Sequence, residues 1–195
     1  MGALLSHIMV IQISNETRNI TLKNPKTYFE WGQCSNSSLP EMSPGSRGIC
    51  LFSDNSSSLG VKGVLVYEAE SFTVAIYFSN PTDDNSSVVL GLELSLGKAH
   101  LDRLVETYIR MANNNYTTCS PDIKFNRVVV SKSQGTVQVS HGPIKVTATM
   151  SYATKSVLEV LLEEQKESVM EAGIEDLHQD ITMIKLYLKT LYPEK

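Results

Sequence analysis

Basic charge, histidine, cysteine and long apolar runs are all scarce in this sequence, and each shortage argues against a class of function. Acidic residues outnumber basic ones, 21 to 17, giving a net charge of −4 over 195 residues. That balance argues against a nucleic-acid surface and against simple electrostatic attraction to anionic lipid. The four histidines, His7, His100, His141 and His178, are scattered, and none stands near an acid and a nucleophile in a catalytic arrangement. His100 with Asp102 reads as a solvated helix face, and Asp83-Asp84 as an exposed acidic turn. With no phosphate-cradling glycine loop and no metal-ligand spacing, the expectation is a protein that is not an enzyme and carries no cofactor and no metal.

Cysteines number three, Cys34, Cys50 and Cys119, an odd count that permits one disulfide without specifying it. No segment approaches the roughly 18 uninterrupted apolar residues of a membrane-spanning helix. The leading stretch MGALLSHIMVIQIS has neither a basic start nor a small-residue cleavage site, so no signal peptide is visible. Against that, Asn-x-Ser/Thr sequons begin at Asn15, Asn19, Asn36, Asn55, Asn85 and Asn115, more often than the Ser and Thr content predicts by chance. The sequons point to a secreted protein that is soluble when made and able to associate with a target membrane; the missing leader keeps an intracellular location open.

What is abundant is short strand signals. Gly60 to Pro81 reads as two strands folded on each other, rich in β-branched and aromatic residues, with the turn at Glu68 to Ser71. Upstream, Ile8 to Ser14 is a first strand, a second short strand ends near Leu22 because Asn24-Pro25 stops it, and Gly48 to Phe52 is another. Downstream come strands at Val88 to Leu96, Phe125 to Val130, Thr136 to Ser140 and Ile144 to Met150. Between them Ala99 to Met111 switches to helical period, with Leu101, Leu104, Val105, Tyr108 and Ile109 on one face. Regular short strands with one interposed helix predict a mainly β chain, an antiparallel β-sandwich with helices outside it.

The segments GVKGVLVY and FSNP resemble the GxVGVLxY and FSVP motifs of the actinoporin family, the sea-anemone-type cytolysins with relatives in fish. Ile11 to Gly32, IQISNETRNITLKNPKTYFEWG, is similar to the first segment of the fish members, and the resemblance runs from about Val10 to Gln165. It implies an actinoporin-type sandwich over 8–165 with one short flanking helix and a C-terminal helical extension over 166–195. It also implies that Ser156 to Leu162 closes the sandwich as a strand, although KSVLEVLLEEQ has helical propensity.

Function follows from the same resemblance. Actinoporins hold lipid headgroups with tyrosines and tryptophans, whose rings suit an interface and can cage choline by cation–π attraction. Ser79 and Pro81 match the family's FSVP serine and proline. The aromatic stretch that follows in the family, of the type YDYNxYxNW, is TDDNSSVVLG here. The family's YEELYY becomes ETYIRM, where Tyr108 can serve with a one-residue shift. Two further pocket positions fall on Trp31 and Lys62, both departures, so phosphocholine recognition of the usual kind is doubtful. Trp31 with Tyr28 is the aromatic concentration that can replace the lost rings. The family's pore-lining N-terminal helix, roughly two dozen residues long, has only Met1 to His7 in its place.

The expectation is thus an actinoporin-like membrane-binding protein in which pore formation stays open. A glycan-binding module is the alternative, since the actinoporin fold is similar to that of fungal fruit-body lectins and Trp31 can stack on a sugar. A third reading is an assembly module. Past Met170, residues Ile174, Leu177, Ile181, Ile184, Leu188 and Leu191 repeat at heptad spacing, which suits a helix docked on its own sandwich, a self-associating coiled coil making homo-oligomers, or an amphipathic membrane helix.

Overall fold

The hairpin that anchors the sequence reading is present as β5 (Gly60–Glu68) and β6 (Phe72–Pro81). The computed structural model describes residues 7–35, 39–55, 59–97, 103–116, 121–131 and 133–165. The chain divides into two units, Met1–Glu164 and Gln165–Lys195. The heptad segment 166–195, with its six candidate oligomerisation residues, and Cys119 lie outside the described residues.

In chain order the remaining elements are β1 (Ile8–Asn15), β2 (Lys23–Trp31), β3 (Gln33–Cys34), β4 (Arg47–Ser53), β7 (Val89–Leu96), α1 (Leu104–Ala112), β8 (Ile123–Val129), β9 (Gln134–His141), β10 (Ile144–Ser151) and β11 (Lys155–Glu164). They form a six-stranded sheet, β3-β4-β1-β11-β10-β9, and a five-stranded sheet, β2-β5-β6-β7-β8. This is the mainly β sandwich expected, with one short helix among the described residues, on the five-stranded sheet.

The core lies between the sheets. Met9, Ile11 and Ile13 of β1, Val146, Ala148 and Met150 of β10, and Leu158, Val160 and Leu162 of β11 face Leu65, Tyr67, Ile76, Phe78, Leu90 and Leu92 of the other sheet. Phe52 stands edge-on to Phe29 at 5.0 Å between ring centroids and 5.3 Å from Phe78. All ten residues of β6 are buried, because one face meets the core and the other lies under α1. A strand covered on both faces reads as a continuous apolar run, as FTVAIYF does.

β11 is a strand, against its helical propensity. Ser156, Leu158, Val160 and Leu162 alternate inward with exposed partners, a period of two that only an extended chain can bury. It closes the six-stranded sheet as expected, between β10 and β1, but while it is antiparallel to β10 it is parallel to β1. The sandwich is therefore antiparallel except at this seam.

The expected strand break at Asn24-Pro25 is not found. β2 begins at Lys23 and runs through both residues, with a register shift between Lys23 and Lys26. Asn24 adopts φ 50°, and a bulge on an edge strand accommodates a proline that lacks an N–H. Before it, Leu22 forms only an isolated bridge to Met42.

Asn15, at the end of β1, is fully buried. Its amide nitrogen donates to the carbonyls of Ile20 (2.7 Å), Met42 (3.0 Å) and Ser43 (3.2 Å), and its oxygen accepts from the Thr17 hydroxyl at 2.7 Å. It ties the turn after β1 to the loop before β4. The Cys50 thiol is also buried, 3.8 Å from the Tyr67 hydroxyl. Burial pushes that thiol up to about 11, with the Tyr67 contact opposing and Cys34 adding to the shift.

Candidate functional site

The outer face of the five-stranded sheet carries the sequence-predicted residues, and strand register sets them in rows. One row runs Trp31, Lys62, Ser79, Val89, Val129 across β2, β5, β6, β7 and β8; the next runs Tyr28, Val64, Tyr77, Gly91, Arg127. Ser79 and Trp31 thus flank Lys62 on either side. Pro81, two residues further along β6, is buried opposite Gly60 at the end of the hairpin.

A second register shift, between Phe29 and Trp31, breaks the alternation of β2. It brings Trp31 and Glu30 both to Lys62. Gly63 permits the close approach, since a Cβ there would stand 2.3 Å from the Tyr28 carbonyl oxygen. The Lys62 ammonium lies 2.5 Å from the Glu30 carboxylate and 4.7 Å from the centre of the Trp31 ring.

α1 covers the second row. Tyr108 points down onto the sheet, its ring 4.9 Å from Tyr28 and 5.9 Å from Tyr77, and its hydroxyl donates to Glu30. The helix is held by ions as well as by rings. Arg110 donates to both oxygens of Glu93, at 2.9 and 2.7 Å, and the Tyr116 hydroxyl donates to the same carboxylate at 2.5 Å. Arg127 donates to the Ala112 carbonyl at the helix C-terminus at 2.7 Å and lies 5.9 Å from the Tyr77 ring. There the guanidinium meets the negative end of the helix dipole.

The charges shift as their neighbours dictate. Burial pushes Glu30 up, but the Lys62 ammonium and the Tyr108 hydroxyl more than offset it and hold the carboxyl below its ordinary value. Burial, reinforced by the Glu30 carboxylate, pushes the Tyr108 hydroxyl well above the usual phenol range. Burial and the Glu93 carboxylate raise Tyr116 in the same way.

The apolar face of α1 is narrower than expected. Thr107, Tyr108 and Met111 are buried, while Val105 is 42% exposed and Ile109 49% exposed. These two stand one helical turn apart on the side facing away from the sheet, beside the exposed Arg103–Glu106 pair at 2.6 Å. Nine residues offer a single stripe to the sheet, and the rest of a broad apolar arc meets solvent.

The structure brings Trp31, Ser79, Tyr28 and Tyr108 together around Lys62. Its sandwich has a counterpart among solved structures. The fold is similar to that of the lipid-binding protein Nakanori. The match has a TM-score of 0.60 at 11% identity and covers 81% of this chain and 71% of that one. No family model matches the sequence, and a comparison with curated proteins finds no match.

Sequence reasoning missed Glu30, Glu93, Arg110 and Tyr116, and took Lys62 only as a departure. A signal for Glu93 was present: one carboxylate inside the apolar strand VLGLELSL requires a buried partner. Elsewhere, a polar groove of about 700 Å³ at the β5–β6 turn is lined by residues that include Asn19, Thr21, Lys23, Asn24, Glu68 and Glu70.

Proposed function

We propose that this chain is a non-enzymatic, actinoporin-like, secreted protein that binds lipid surfaces, laying the outward side of α1 and the adjoining Trp31 edge on the membrane. The observation that carries the reading is the exposed Val105 and Ile109 pair standing over the Tyr28–Tyr108 ring pair. Aliphatic side chains facing solvent on a short helix, with amphipathic rings beneath, suit the boundary between headgroups and acyl chains. The fold shared with a lipid-binding protein supports it.

Sedimentation with liposomes, scored with dye release in the same vesicles, tests the reading. Wild type is expected to sediment, and Val105→Ser with Ile109→Ser to weaken binding at least about tenfold, given about 1.5–3 kcal/mol per fully buried aliphatic side chain. The exposure of both residues leaves the melting temperature nearly unchanged. A wild type that sediments with no vesicle composition removes the membrane reading. Dye release separates anchoring from perforation.

A glycan reading based on Trp31 is weakened, because Lys62 lies over that ring. The polar groove at the β5–β6 turn offers amide, hydroxyl and carboxylate groups to a sugar instead, and a blank glycan array removes that alternative. The assembly reading rests on residues outside the described ones.

A further inference from the structure

A cation over an indole face, with a carboxylate beside it and phenol rings close by, is the arrangement by which proteins recognise ammonium groups. In this chain the cation already in that seat is the protein's own. The Lys62 ammonium is 4.7 Å from the Trp31 ring centre and 2.5 Å from Glu30, and the side chain is only 21% exposed. The seat is built, not incidental: the shift in β2 between Phe29 and Trp31 directs Glu30 and Trp31 to one point, and β5 places Lys62 between Trp31 and Ser79. A tethered ammonium competes at an effective concentration far above that of a free ligand.

We infer that Lys62 is a built-in occupant of this seat and the residue that sets headgroup specificity: it shuts out quaternary ammonium groups of the choline type, and removing its charge opens the site to them. The inference rests on the membrane reading for its biological meaning, but its chemistry stands apart from vesicles. It predicts a wild-type protein that binds choline-bearing and choline-free surfaces alike.

Trp31 is the only tryptophan, so intrinsic fluorescence reports this seat directly. Choline chloride is titrated into the full chain against sodium chloride at equal ionic strength. Wild type and Lys62→Arg, which both keep the cation, are expected to show no saturable change. Lys62→Met is expected to show a saturable change that wild type lacks over the same choline range, as one partly desolvated cation–π contact becomes free for the ligand. Adding Glu30→Gln to Lys62→Met weakens that binding. Lys62→Gln, which keeps a polar stem without charge, replaces Lys62→Met if the latter does not fold.

Saturable choline binding by wild type overturns the inference. So does a folded, charge-free variant whose Trp31 emission ignores choline. On vesicles, the charge-free variant gains binding only where phosphocholine is present. If wild type binds no vesicle, the membrane reading fails while the choline titration in solution still decides this one.

Discussion

Glu30 carries two donors on one carboxylate, the Lys62 ammonium and the Tyr108 hydroxyl, and this gives it a sign that experiment can read. Burial raises its pKa and the two donors together lower it by more, for a net fall below the ordinary 4.5. A carboxylate held below its unfolded value contributes stability that is complete above that value and is lost as the pH falls through the folded one. Glu30→Gln is expected to melt below wild type at neutral pH by about 0.5–1 kcal/mol, the range for a partly exposed ion pair. The gap should begin to shrink as the pH falls below the ordinary carboxylate value and close once it passes below the lowered folded one. A gap that stays constant with pH would place the effect elsewhere. At this scale the sequence displayed Trp31, Tyr28, Tyr108 and Ser79, because ring and hydroxyl chemistry is visible in the residue itself. It hid the Glu30–Lys62 pair, because strict alternation along β2 sends neighbouring residues to opposite faces and only a register shift reunites them.

α1 is short for an independent helix and owes its place to side chains that reach the sheet. The central tie is Glu93, 2% exposed, with Arg110 at 15%. Removing one member of a buried pair leaves the other charge without compensation, which costs about 3–5 kcal/mol. Glu93→Gln should lower stability by about that much in denaturant titrations, and Glu93→Gln with Arg110→Met should recover part of the loss. A cost below about 1 kcal/mol for the single variant would mean that water or another group takes over the guanidinium. Element type was legible where period was clear, as in β10 and the helix, and in β6 from its run of β-branched and aromatic residues. β11 shows tertiary burial deciding against local propensity. The strand break expected before β2 failed because Asn24 tolerates a positive φ and the edge of a sheet tolerates Pro25.

At the scale of the molecule, two sheets with a shared core carry one covered outer face. Local patterns announced the sandwich through many short strands and turns. They did not announce the parallel β1–β11 seam, because pairing between the two ends of a domain leaves no trace in either strand's own period. Burial depth should order the opening of the structure. In hydrogen exchange, β6, covered on both faces, should be slowest, and β3, a two-residue edge strand, should be fastest. Equal protection across β2, β3 and β6 would show that the domain opens only as a whole.

Asn15 has a consequence for how the protein is made. Its Asn-Glu-Thr triplet is an eligible acceptor for the glycosylation machinery of a secretory host, which works on the chain before it folds. In the native state the same amide nitrogen is committed to three carbonyls. A sugar attached there during synthesis would dismantle the knot between the turn after β1 and the loop before β4. Bacterial expression avoids that hazard outright, whereas Thr17→Val, which keeps Asn15, trades it for the loss of the Thr17 hydroxyl's two hydrogen bonds, to the Asn15 side chain and the Ile20 carbonyl. The choice of host therefore decides how much of the product is native.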